Sequence, residues 1–89
     1  MRLPSEVRLA HGFLIVEGRV TAVRRYGRGF ELEVEGLRVD IPAYAGADFE
    51  SAGKPPPSLA GRLIRIRGTI RQGPSMRLDH PEAVEVLAP

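Results

Sequence analysis

Apolar and polar residues alternate along most of the chain with the period of two that marks half-buried β-strands. FLIVEGRVTAVRRY (13–26) predicts a long first strand with Leu14, Val16 and Val20 on its inner face. Val23 falls on the other parity; a β-bulge near Thr21 or Ala22 restores it, and Gly18 marks a sharp bend or a close approach. YGRG (26–29) turns the chain. FELEVE (30–35) then sends Phe30, Leu32 and Val34 inward and Glu31, Glu33 and Glu35 outward. Gly36 makes a tight connection to LRVDIP (37–42), with Leu37, Val39 and Ile41 inward.

The period then changes. AYAGADFESAG (43–53) sets Ala45, Phe49 and Ala52 at helical spacing and stops on Gly53, which predicts a short helix. KPPP (54–57) is a stiff connector, and SLAG (58–61) a turn that delivers Leu59 to the core. RLIRIRGTIRQG (62–73) restores the alternation, with Ile64, Ile66 and Ile70 on one face and Arg65, Arg67 and Arg71 on the other. After a GPS turn (73–75), SMRLD (75–79) carries Met76 and Leu78 inward, HPE (80–82) interrupts, and AVEVL (83–87) closes as a short strand. The order is β-β-β-α-β-β with a long, bent first strand. It predicts an all-β protein of small α content: a five-stranded Greek-key OB-fold barrel with a short helix between strands three and four. The alternative is an SH3-like small barrel, which usually lacks the helix. A chain of 89 residues makes one domain, read as an N-terminal extension (1–12) and a barrel (13–89).

Residues 59–87, LAGRLIRIRGTIRQGPSMRLDHPEAVEVL, and the preceding VEGRVTAV (16–23) resemble a pattern of bacterial OB-fold domains. The pattern runs L-x-G-[KR]-x-[IV]-x-[IV]-x-G-x-[IV], then a Gly-Pro turn, then an apolar strand ending in H-P-E-x-[IV]-E-[VIL]-L. The similar domains belong to small bacterial proteins described as thermonuclease-like or DNA-binding. The matching residues Leu59, Gly61, Gly68 and Pro74 are structural, so the resemblance implies the fold first and nucleic-acid binding second. The catalytic Asp, Arg and Glu cluster of true nucleases has no match here, and nuclease activity is not expected.

Composition narrows this picture. There is no cysteine, so no disulfide staples the thin core of so short a chain. No apolar run approaches the roughly 20 residues a membrane span needs, and no secretory signal precedes the first strand, so a cytoplasmic protein is expected. Absence of Asn, a single Gln and eight prolines fit a heat-adapted host. Twelve of the thirteen basic residues are arginine, the side chain suited to bidentate phosphate contact and base stacking; a GC-rich genome is the alternative source of that excess. Eleven acidic residues leave a net charge of only +2.

The chemistry the sequence offers is binding. RRYGRG (24–29) lies in the first hairpin loop, L12, where OB barrels commonly hold ligands: Arg24, Arg25 and Arg28 offer phosphate contacts and Tyr26 a stacking face. Arg65, Arg67 and Arg71, with Arg77 on the next strand, offer a second cationic surface, or only a solvated face that discourages edge pairing. Against binding stand the outward carboxylates of strand two, expected to pair with Arg19 and Arg38, and an outer face with Tyr26 as its only stacker. Tyr44 and Phe49 are expected in the core. Asp40 and Asp48 are the best remaining carboxylates for a metal, and His80 sits beside Glu82, yet neither set makes a ligand cluster, so no metal, cofactor or catalysis is expected. The expectation is a non-catalytic module for single-stranded DNA or RNA with weak sequence preference, or else a module for a protein partner or homodimer.

Overall fold

A computed structural model describes residues 12–71 and 73–89. The expected extension, apart from Gly12, and Gln72 lie outside them.

The long first strand, β1 (Gly12–Tyr26), serves two neighbours. Its first half runs antiparallel to β4 (Leu63–Arg71), from Gly12 opposite Ile70 to Arg19 opposite Leu63. Its second half pairs with β2 (Gly29–Val34), from Val20 opposite Val34 to Tyr26 opposite Gly29. The change of partner falls at a bulge between Val20 and Ala22. The bulged Thr21 donates its hydroxyl to the Glu33 carbonyl at 3.0 Å, and the Arg19 N–H donates to Glu35 Oε2 at 2.7 Å, so backbone groups that the irregularity frees find side-chain partners. The bulge also returns Val23 to the inner face, where it packs against the core.

β3 (Leu37–Ile41) follows β2 through a two-residue turn in which Glu35 (φ 49°) and Gly36 (φ 94°) both take left-handed backbone, the pattern of a type I′ hairpin. β5 (Ser75–Arg77) lies parallel to β3 and antiparallel to the end of β4, which closes the ring β1-β2-β3-β5-β4-β1. This five-position mixed barrel, with one short helix between β3 and β4, is an OB-fold. A further strand, β6 (Val84–Ala88), pairs with the other end of β4 on the same edge as β5. Ile70 faces Met76 and Ile66 faces Val84, so four steps along β4 oppose eight along its partner. β5 and β6 are thus one barrel edge with four residues looped out around His80-Pro81-Glu82-Ala83. Lys54 Nζ donates to the carbonyls of Pro81 (3.2 Å) and Val84, and Arg67 Nη2 to that of Glu82 (3.0 Å), so two cations pin the loop's backbone.

The inward residues of every strand meet in one core that includes Val16, Val20, Leu32, Val34, Val39, Ile64 and Ile66. The helical segment is shorter than its periodicity suggests. A 3-10 turn over Ala43–Ala45 precedes α1 (Gly46–Ser51). Gly53 (φ 75°) ends the helix, with the Lys54 N–H bonded to the Phe49 carbonyl at 2.9 Å. Phe49 and Ala45 are fully buried, whereas Ala52, expected on the same face, is exposed because the helix has already ended. The prolines after Lys54 do not form an extended spacer: Pro56–Leu59 is a second 3-10 turn that buries Pro56 and Leu59. Burying a side chain such as Phe49 or Leu59 contributes about 1.5–3 kcal/mol, so this capping layer matters in a domain so small.

Candidate functional site

The first hairpin is built by its glycines. Gly27 takes φ 60° while Arg28 does not, which is the signature of a type II′ turn. Gly29 permits a close crossing: a Cβ there would lie 2.4 Å from the Ile41 carbonyl oxygen and 3.0 Å from the Ala43 nitrogen. The hairpin end therefore rests directly on the end of β3. Between them lies a cleft of about 330 Å³ whose lining includes Tyr26, Arg28, Arg38, Asp40 and Pro42. Tyr26 is 72% exposed, and Arg25 lies over the Phe30 ring, 5.6 Å from its centroid.

The acidic row of β2 has a different partner from the one expected. Arg24 pairs with Glu31 at 3.2 Å and Glu33 at 3.9 Å, while Arg38 turns along its own strand to Asp40 at 3.5 Å. Arg19 meets Glu35 through its backbone N–H, and its guanidinium goes to the Gly61 carbonyl at 2.7 Å. Register explains this: Arg24 stands opposite Glu31 on the outer face. Arg24 is thereby shared between Glu31 and Glu33, which lessens the repulsion a phosphate would meet on this face and also occupies Arg24.

The arginines of β4 divide in the same way. Arg65 sits opposite Glu17 on β1 and Glu85 on β6 and binds both, at 3.2 and 3.3 Å. It is the member of the expected set least available to a ligand. Arg67 is held by the Glu82 carbonyl, and Arg77 Nε lies 3.5 Å from Asp79. Among the described residues no carboxylate pairs with Arg25, Arg28, Arg67 or Arg71. The sequence-predicted residues thus fall into two groups, Arg24, Arg25, Tyr26 and Arg28 at the hairpin and Arg65, Arg67, Arg71 and Arg77 along β4 and β5. A register row of Arg24, Glu31, Asp40 and Arg77 across β1, β2, β3 and β5 connects them.

Two aromatics correct the expectation that Tyr26 is the only stacker. Tyr44 is not in the core: it is 69% exposed, because the 3-10 turn buries Ala45 in its place. Its hydroxyl donates to Asp79, and that bond to a carboxylate, which favours the neutral phenol, raises the Tyr44 pKa above its ordinary value of 10. Phe13 is 65% exposed on the outer face of β1, opposite Thr69. The alternation of FLIV marks Phe13 as outward, which was the available signal for it; Tyr44 had none, since its orientation depends on a 3-10 turn within a helical pattern.

A cleft of about 650 Å³ lies beside the looped-out residues, but its cations Lys54, Arg65 and Arg67 already bind carbonyls or carboxylates. Asp40 is paired with Arg38, and among the described residues no group of three or more His, Asp or Glu side chains is placed to hold a metal ion. Among those residues no helix is long and apolar enough to cross a membrane.

No family model matches the chain, and no curated protein matches it. Its likeness is to solved structures of OB barrels. OBody AM1L10 bound to hen egg-white lysozyme superposes with a TM-score of 0.74 at 18% identity, over 100% of this chain and 94% of that one. OBody AM3L09, also bound to hen egg-white lysozyme, gives 0.66 at 18% identity over 99% and 94%. The S. pombe Stn1–Ten1 complex gives 0.64 at 19% identity over 88% of this chain and 59% of that one. At these identities the likeness is one of fold.

Proposed function

We propose that the chain is a non-catalytic OB-fold module that binds single-stranded nucleic acid with weak sequence preference. The observation that carries this reading is the pairing of exposed aromatics with guanidiniums that have no carboxylate partner among the described residues: Tyr26 beside Arg25 and Arg28, Tyr44 near Arg71. Rings stack on any base and guanidiniums contact any phosphate, so the expected binding is sequence-tolerant and strongly salt-dependent. The resemblance of residues 59–87 to DNA-binding bacterial barrels points the same way. Fluorescence anisotropy of labelled single-stranded DNA and RNA, titrated at low and moderate salt, tests it. Micromolar or tighter binding that falls steeply with salt supports the reading; no binding at low salt removes it.

A protein partner is the second reading. Residues 12–19 of β1 pair only with β4 among the described residues, and Ile15 is exposed beside that open edge. Such an edge accepts an added strand. The similar OBodies are described as bound to lysozyme, and Stn1 as in complex with Ten1, so this barrel shape does serve protein recognition elsewhere. Light scattering across a concentration series tests self-association; a constant monomer mass rules out the homodimer.

A further inference from the structure

Looping residues out of the last barrel edge leaves a concavity. A cleft of about 270 Å³ opens between β4, the end of β5 and the loop, lined by residues that include Phe13, Arg67, Thr69, Arg71, Arg77 and His80. Its charge differs from the outer face around β2 and β3, where Arg24 and Arg38 are paired with acids. Arg67 and Arg71 have no carboxylate partner among the described residues. Arg67 is fixed by one bond to the Glu82 carbonyl, which orients the guanidinium and leaves further N–H groups for a ligand. Arg77 is fixed by Asp79, the one carboxylate residue lining the cleft, and Asp79 also accepts from Tyr44. Three arginines therefore line one cleft against one acid, and two of them, Arg67 and Arg77, are preorganised by bonds that the protein makes to itself.

We propose that this cleft is a subsite for the terminal phosphomonoester of a nucleic-acid strand; the proposal rests on the single-strand reading above. A phosphodiester inside a strand carries one negative charge. A terminal phosphomonoester carries about −1.5 to −2 at neutral pH and presents three strong acceptor oxygens. Three arginines in one cleft suit the second group better, since each guanidinium fork can pair with its oxygens. Thr69 adds a hydroxyl, and the exposed Phe13 ring opposite it offers a face to the terminal base or sugar. A strand anchored here leads along the register row from Arg77 over β3 and β2 to the hairpin, three strand spacings of about 4.8 Å each. The cleft then defines an end of the bound strand, and the tyrosines hold the nucleotides beyond that end.

One oligonucleotide sequence is made with hydroxyls at both ends, with a 5′-phosphate, and with a 3′-phosphate, and each form is titrated by anisotropy at low salt. One phosphorylated form is expected to bind about five- to tenfold more tightly than the hydroxyl form. That ratio falls towards one in Arg67→Ala/Arg71→Ala. Because Arg67 also pins the loop, Arg71→Ala alone is the second variant, and it at least halves the ratio. In Arg25→Ala/Arg28→Ala every form weakens and the ratio persists, which separates a cleft from a general gain in charge. Hydroxyl-ended binding with a ratio of one overturns the subsite and leaves the single-strand reading standing, as does a ratio that survives in the cleft variants. Binding of a phosphorylated form alone keeps the subsite and overturns the extended track. No binding of any form overturns both.

Discussion

The meander of β1, β2 and β3 and the seam of β4 with β5 and β6 are written in the same alternation but finish with different surfaces. On the outer face of the meander, short of the hairpin end, cations stand beside acids: Arg24 with Glu31 and Glu33, Arg38 with Asp40. In the seam the looped-out residues spoil that matching. Glu85 still reaches Arg65, Arg67 finds only a carbonyl, and Arg71 finds no acid among the described residues. Arg65 and Arg71 stand on one face of one strand, so composition and parity cannot separate them. Strand register does, and it decides which charges remain for a ligand.

The largest effect that sharpens this contrast concerns stability. Gly29 lets the meander cross itself against a backbone oxygen, whereas a Cβ at Gly68 in the seam would meet the Met76 side chain at 3.1 Å. Gly29→Ala is expected to destabilise by about 3 kcal/mol or more, lowering Tm by over about 12 °C in a thermal melt. Gly68→Ala should cost about 1 kcal/mol, since methionine rotamers yield. Equal costs would mean that the two regions are packed alike. The next effect is on binding. Arg71→Ala should flatten the log–log salt dependence for single strands by about 0.7 and weaken binding several-fold. Arg65→Ala should leave that slope unchanged and destabilise by under about 1 kcal/mol, a loss that shrinks at high salt because Glu85 is largely exposed while Arg65 and Glu17 are only partly buried. Reversed roles would break the distinction between the clamped and the open arginine.

The smallest effect is read at Tyr44. Its hydrogen bond to Asp79 stabilises the neutral phenol, so this increment of stability is complete below pH 10 and is lost as pH rises through the raised value in the fold. With no tryptophan and only two tyrosines, Tyr26→Phe leaves a clean ultraviolet titration of Tyr44. The midpoint should lie above 10 and move back towards 10 in Asp79→Asn. A midpoint that does not respond would mean that Asp79 does not hold the ring in solution.

Much of the fold was legible because local rules agreed. Val23 off parity announced the bulge, Gly53 the helix stop, and Leu59 the capping turn. The site was legible only as a set of residue types. Arg65 is clamped by residues on two other strands, Glu17 and Glu85, and neither register can be read from the chain. Tyr44 was misplaced because one 3-10 turn rotates the face of a short helical pattern. The open seam was hidden for a similar reason: HPE marks an interruption, but not how many residues leave the ladder.

The pairing of Gly12 with Ile70 also governs how the protein is born. On the ribosome β1 and β2 can form their hairpin early, yet the first half of β1 has no ladder partner until β4 emerges. At about 5–20 residues per second that interval is on the order of seconds. Throughout it the FLIV stretch (13–16) is an unpaired apolar strand on a nascent chain, a natural client for a holdase chaperone. Closure of this half of the barrel therefore waits on β4, and the strand that waits is the one that later serves two neighbours.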